Sequence, residues 1–309
     1  MKTAGKLSGD DFVKNKSKKE LSDFVFILPA IVFIIIFTYY PITQLIKISF
    51  SDWNLLSDSY SFVGFDNYKW FVDGAGAKYL WNSVKVTFVY SLCEMFLTVF
   101  GGLVLALLMN SAAKVFKFFQ TIVFMPRYIS MSCAAVIFLW MLNTDNGVLN
   151  QIINLFGVDS INWLGDRFTA FLSIVAVSAW RNVGYGMMMC LSAISAIPKD
   201  FYEAARLDNA SRRRVFFNIT LPQIMPTLEF LTLTSFLSSI KSFQTIDIMT
   251  GGGPMRSTET IVYLIYRYAL VDFRMNRAAT VAVVLFFVLI FITSIGIIIS
   301  KKLRKVYGA

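Results

Sequence analysis

Apolar residues in this 309-residue chain gather into blocks instead of alternating with polar ones. Six blocks stand out, at about 24–46, 84–109, 119–142, 168–197, 219–243 and 279–300. Roughly 20 helical residues rising 1.5 Å each cover the ~30 Å hydrocarbon core of a bilayer, so each block is long enough to cross once. Continuous apolar runs of this length are too long for strands and too uniform for a soluble helix face. The pattern predicts an all-α integral membrane protein with six transmembrane helices. Pro29 and Pro41 fall near the ends of the first block, where a lost backbone hydrogen bond costs least.

The polar stretches between blocks give the orientation. Residues 1–23 are lysine-rich, with no apolar core or small-residue cleavage site, and read as a cytoplasmic tail instead of a cleaved signal. Lys114 and Lys117 mark a short inner loop, residues 198–218 a longer one, and residues 301–309 a basic C-terminal tail. Lys and Arg favour the cytoplasmic side, so both termini are placed inside, with residues 24–300 forming the membrane domain. Seventeen cations then lie in inner segments and ten in outer ones. The outer stretch 244–278 fits least well, because Lys241, Arg256, Arg267, Arg274 and Arg277 cluster at it against three acids.

Composition narrows the function classes. The chain is 56% hydrophobic with mean hydropathy +0.62, well above a soluble domain. Its net charge of +10 sits at the ends of apolar blocks, which is membrane topology and not a nucleic-acid face. Cys93, Cys133 and Cys190 all lie inside apolar stretches and read as small hydrophobes. There is no histidine, which removes zinc-protease motifs, Ser-His-Asp triads and histidine proton shuttles. No phosphate-loop motif occurs either, so any ATP chemistry belongs to another chain. Neither a catalytic site nor a metal site is predicted.

Polar residues inside the blocks are the candidates for function. Glu94 and Arg181 are costly in a membrane unless paired or lining a path. Glu229, Thr232, Ser235, Ser239 and Ser242 recur at helical spacing on one face, which suits helix packing or a polar path. Arg181, Asn182, Tyr185, Glu229, Ser235, Ser239, Lys241 and Gln244 are therefore the candidate path residues, of a kind suited to a hydroxyl-rich ligand.

Residues 203–226, EAARLDNASRRRVFFNITLPQIMP, form a basic elbow between two blocks. The pattern predicts a short helix capped by Asp200 with Glu203 three residues on, then a stop at Asp208-Asn209. Ser211 would cap a second helix that meets the membrane at Leu221-Pro222.

EAARLDNA followed by Ile219-x-Leu221-Pro222 resembles the EAA loop of the membrane subunits of binding-protein-dependent ABC importers, with Asn209 where that family generally has Gly. SFSDWN with FVGFDNYKWF, DNGVLN, and Gly251-Gly252-Gly253-Pro254 with Thr258 are similar to further segments of carbohydrate-type permeases such as those for maltose or sn-glycerol 3-phosphate. The resemblance implies a type I importer permease in a bacterial or archaeal cytoplasmic membrane, moving a sugar, oligosaccharide or sugar derivative by alternating access. It implies a second related permease, two ABC ATPases that hold ATP-Mg, and an extracytoplasmic solute-binding protein. Glu203, Ala204, Ala205, Asp208, Asn209, Ala210, Leu221 and Pro222 would couple to the ATPase, the alanines seating in its groove. The alternative from the residues alone is an ion-coupled secondary transporter using Glu94 or Glu229.

Overall fold

A computed structural model describes Phe24, residues 26–54, Leu56, residues 61–110 and residues 113–307, with the side chains of 303–307 excepted. The expected tail at 1–23 therefore lies outside the described residues. Among the described residues twelve helices follow one another, with one small ribbon. Helix α1 spans Phe26–Ser49 and leads into strands β1 (Ser51–Asp52) and β2 (Ser61–Phe62), antiparallel with Ser51 opposite Phe62. Helices α2 (Asp66–Val72), α3 (Ala77–Met109), α4 (Lys114–Phe124), α5 (Met131–Met141) and α6 (Val148–Asn154) come next. Then come α7 (Arg167–Ser195), α8 (Lys199–Leu207), α9 (residues 212–240), α10 (Gln244–Met249), α11 (Ile261–Val271) and α12 (Met275–Tyr307).

Among the described residues three helices are long and apolar enough to cross a bilayer: α1, α3 and residues 275–302 of α12. The block at 119–142 does not form the single helix expected of it. It is broken between α4 and α5, whose axes differ by 101°. Pro126 lies in a tight turn at Met125–Tyr128, and Ser130 then caps a new helix by accepting from the Cys133 amide at 3.2 Å. A proline that removes a hydrogen bond, followed by a fresh N-cap, ends one helix and starts another.

Helix α7 is the axis of the bundle. At 29 residues it is about 44 Å long, and it packs against α3, α4, α5, α9 and α10. Its polar residues are tolerable because few of them face lipid. Close approach depends on glycine: a Cβ on Gly102 of α3 would sit 2.6 Å from the Gly186 carbonyl carbon, and one on Gly186 would collide with the Thr98 carbonyl oxygen. Two apolar clusters flank the middle of the bundle. One contains Tyr90, Ile174, Val177 and Ile246, the other Ala106, Met187, Ile224 and Leu231. By contrast α1 lies along α12 and leaves Phe26, Phe33 and Phe37 exposed, as a helix facing lipid would.

Wide π turns interrupt α1 at Ile35–Tyr39, α3 at Leu97–Gly101 and α9 at Phe216–Thr220. Two of them precede prolines, Pro41 and Pro222, whose missing N–H leaves a carbonyl four residues back unclaimed.

Candidate functional site

At one end of the bundle α8 and α9 make the basic elbow. Helix α8 begins at Lys199 with Pro198 in the cap position, so Asp200 sits in the first turn and forms no capping box with Glu203. Proline needs no hydrogen-bonded amide there and already holds the required φ, which displaces the start by two residues from the expected one. The helix stops at Asn209, whose φ of 51° is left-handed, and the Ala210 amide returns to the Ala205 carbonyl at 2.9 Å. Ser211 caps α9 by accepting from the Arg214 amide at 3.4 Å.

The two alanines part company. Both line the groove between α8 and α9, but Ala205 has little exposed surface and Ala204 is exposed. The reason is helical geometry, since adjacent residues project about 100° apart. Leu207 is 85% exposed beside them, and Phe201 is also exposed, which the sequence reading did not single out. Tyr202 and Thr220 share a hydrogen bond of 3.2 Å that ties α8 to α9. A groove of about 290 Å³ separates the helices, lined by Phe201, Ala204, Asp208, Arg214 and Asn218 among others. Leu221 and Pro222 lie within the continuous run of α9, just beyond its π turn.

Halfway along the bundle, between the two apolar clusters, a cavity of about 160 Å³ opens among α3, α7 and α9 and the turn after α4. Its walls carry Glu94, Thr98, Arg127, Asn182, Tyr185, Thr234, Ser235 and Ser238. Asn182 donates its amide to Glu94 Oε1 at 2.6 Å and accepts from Arg127 Nη1 at 2.6 Å. The Arg127 guanidinium lies 5.0 Å from the centre of the Tyr185 ring. Of the predicted path residues, Asn182, Tyr185 and Ser235 are brought together here. Arg181 stands beside the cavity and donates Nε to the Ile129 carbonyl at 2.9 Å, securing the turn between α4 and α5.

Other predicted path residues lie elsewhere. Ser239 is buried and donates to the Phe236 carbonyl at 2.9 Å, a packing role. Lys241 and Gln244 are exposed beyond the end of α9, and Glu229 does not line the cavity. The serine stripe is therefore mostly a packing face: Ser242 bonds the Tyr90 hydroxyl at 3.0 Å, and Tyr90 also pairs with Ser178 at 2.7 Å. Arg127 was missed as a path residue. Its only sequence signal was a cation beside a proline inside an apolar block.

At the opposite end, two cations of the stretch 244–278 converge on one buried acid. Glu259 has no exposed surface and meets Arg267 at 2.6 Å and Arg256 at 3.4 Å, while Ser83 donates to it at 3.4 Å. The Arg267 contact is an ion pair lacking hydrogen-bond alignment, since Oε2 accepts no well-formed bond. Burial pushes the Glu259 carboxyl above the ordinary carboxylate range, with the two guanidiniums pulling against it. Arg256 also stacks over Tyr79 at 4.0 Å and Arg277 over Trp70 at 3.9 Å. Gly251 and Gly252 take φ of 55° and 79°, which a side chain would resist.

The chain is thus a helical bundle with a capped basic elbow at one end and a polar cavity halfway along it. Residues 98–305 match the family model of the binding-protein-dependent transport system inner membrane component, and the chain belongs to that family. It is 34% identical to the probable ABC transporter permease protein YurN of Bacillus subtilis, over 87% of this chain and 92% of that one. It is 30% identical to the sn-glycerol-3-phosphate transport system permease protein UgpA of Agrobacterium fabrum, over 92% and 96%. The trehalose/maltose transport system permease protein MalF of Thermococcus litoralis is also 30% identical, over 82% and 85%. Among solved structures, a bacterial ABC transporter involved in the import of alginate superposes with a TM-score of 0.82 at 23% identity, covering 94% of this chain and 98% of that one. The fold is thus that of a type I ABC importer permease.

Proposed function

We propose that the chain is one membrane subunit of an ATP-driven importer for a sugar, oligosaccharide or sugar derivative. It crosses the cytoplasmic membrane six times with both termini inside, the broken pair α4–α5 counting as one crossing and α7 and α9 as the two innermost. In its assembly it pairs with a second, related permease and two ATPase subunits, which supply the nucleotide site this sequence lacks, and an extracytoplasmic binding protein delivers the ligand. The sugar and sugar-derivative transport named for its relatives supports that ligand class.

One observation carries the mechanism. Helix α9 starts in the elbow at Arg212, passes through the π turn at Phe216–Thr220 and continues to Ser235 and Ser238 in the cavity wall. A displacement applied to α8 through the Tyr202–Thr220 bond and the tight turn at Asn209 therefore reaches the cavity along one continuous helix. Exposed Glu203, Ala204, Phe201 and Leu207 form the surface that an ATPase would cover, with Glu203 available to pair with a cation. Alternating access follows if nucleotide-driven closure of the ATPases pushes on that surface.

Glu203→Lys tests the reading. Uptake should be abolished while the chain still inserts and still recovers its partner permease. Normal uptake by this variant would remove the docking role. The ion-coupled reading has two carboxylates to draw on, Glu94 in the cavity wall and Glu229 outside it, whose Oε2 is buried without a hydrogen-bond partner. The Arg127 guanidinium in the same cavity wall works against a bound cation there.

A further inference from the structure

The mid-bundle cavity is unfinished as hydrogen-bonding chemistry. Glu94 is 93% buried, its Oε1 is taken by Asn182, and its Oε2 has no hydrogen-bond partner. The hydroxyl of Thr98, one turn further along α3 and 98% buried, has none either. Both residues line the cavity. The Tyr90 hydroxyl stands within reach of Glu94 as well, while its well-formed bonds, in which it can accept from both, are to Ser178 and Ser242. Unmatched buried polar atoms are costly, on the order of 1–3 kcal/mol each, so two facing one cavity call for an occupant that satisfies them.

Charge limits what that occupant can be. An anionic group would meet the unpartnered carboxylate oxygen of Glu94. A cationic group would meet Arg127, whose guanidinium lines the same cavity, with Arg181 close by. A neutral group offends neither. It must donate to Glu94 Oε2, and it can accept from the Arg127 N–H groups that Asn182 leaves free, since a guanidinium has five and Asn182 receives Nη1. A hydroxyl pair on neighbouring carbons does both at once. At about 160 Å³ the cavity is about half the low end of the ~300–1,000 Å³ usual for whole-ligand pockets, so it takes one ring of a longer ligand at a time.

We propose that Glu94 and Arg127 form an acceptor–donor clamp that grips a neutral ligand by two adjacent hydroxyl groups at the middle of the membrane. The proposal rests on the importer reading, and it deepens that reading by naming the ligand's charge and the groups recognised. Thr98, Ser235 and Ser238 supply further hydroxyls around the same ring.

The test uses the native host with its complete importer. Uptake of radiolabelled trehalose, maltose and raffinose, and of the anions sn-glycerol 3-phosphate and glucuronate, is compared in wild type, a deletion of this chain, Glu94→Gln and Glu94→Asp. If deletion changes none of these, the carbohydrate-importer reading fails and the clamp with it. If deletion abolishes uptake of a neutral saccharide, Glu94→Gln should reduce it about 10- to 100-fold at unchanged chain level and partner recovery, with partial rescue by Asp. Monodeoxy analogues separate recognition from structure. Wild type should reject the analogue lacking the clamped hydroxyl, and Glu94→Gln should lose most of that discrimination. If deletion abolishes only an anion, or if Glu94→Gln transports and discriminates like wild type, the clamp is wrong while the importer reading stands.

Discussion

Removing either side of the Glu259–Arg267 pair removes the same contact, yet the two losses should differ in size. Glu259 has no exposed surface, whereas the side chains of Arg267 and Arg256 remain 22% and 34% exposed. In Glu259→Gln the arginines can turn toward water, and the glutamine still accepts from Ser83, so the cost is that of a weakened hydrogen-bond set, about 1 kcal/mol. In Arg267→Met a carboxylate stays buried with only the longer Arg256 contact, which costs about 3–5 kcal/mol when it is ionised. Protonation limits that cost. Burial already raises the Glu259 carboxyl, and losing Arg267 raises it further, so the folded variant holds its proton to higher pH than the unfolded chain. By linkage, its stability falls as pH rises through the interval between the ordinary carboxylate value and the raised one. The deficit of Arg267→Met should therefore be small at acidic pH and large at alkaline pH. Thermal unfolding of the purified chain in nanodiscs at pH 5 and pH 8 measures this. Equal deficits for the two variants, or an Arg267→Met deficit that ignores pH, would refute the reasoning.

Three further outcomes follow from the same structure. Gly186→Val drives side-chain atoms into the Thr98 carbonyl on α3, so the α3–α7 contact should open and the melting temperature fall by more than for Gly157→Ala at an exposed turn, compared by thermal unfolding. Asn209→Val places a β-branched residue at φ 51° and should destabilise the elbow by about 1–2 kcal/mol, while Asn209→Gly leaves it unharmed; hydrogen exchange of the α8 amides reads both. Leu207→Asp removes an exposed apolar side chain from the surface proposed to meet an ATPase, so chain stability should hold and ATPase recovery in a pull-down should drop.

The helical class was legible because a bilayer demands long apolar runs, and those runs were written plainly in the chain. The turn at Asn209 and the cap at Ser211 were legible too, since each rests on local backbone chemistry. The break at Pro126 was not. An apolar block carrying one proline reads the same whether the helix kinks mildly or turns through 101°, and packing against α7 decides. The cavity residues were half legible for a related reason. Helical spacing put Ser235, Ser239 and Ser242 on one face, but spacing cannot tell which of them meets a void and which meets Tyr90 or Ser91. Arg127 and Glu94 join across helices 33 residues apart in sequence, through Asn182, and no local pattern encodes that. Nor does the sequence show Arg256 and Arg267 converging on Glu259.

The central claim is that this chain works only as the membrane part of an ATP-driven assembly. The most direct measurement is recovery of the tagged chain from its native host in mild detergent, with mass spectrometry of the proteins that accompany it. Recovery of a second permease together with an ATPase carrying a phosphate loop is the predicted result. A chain that purifies alone and transports in proteoliposomes under an ion gradient, without ATP, would contradict it.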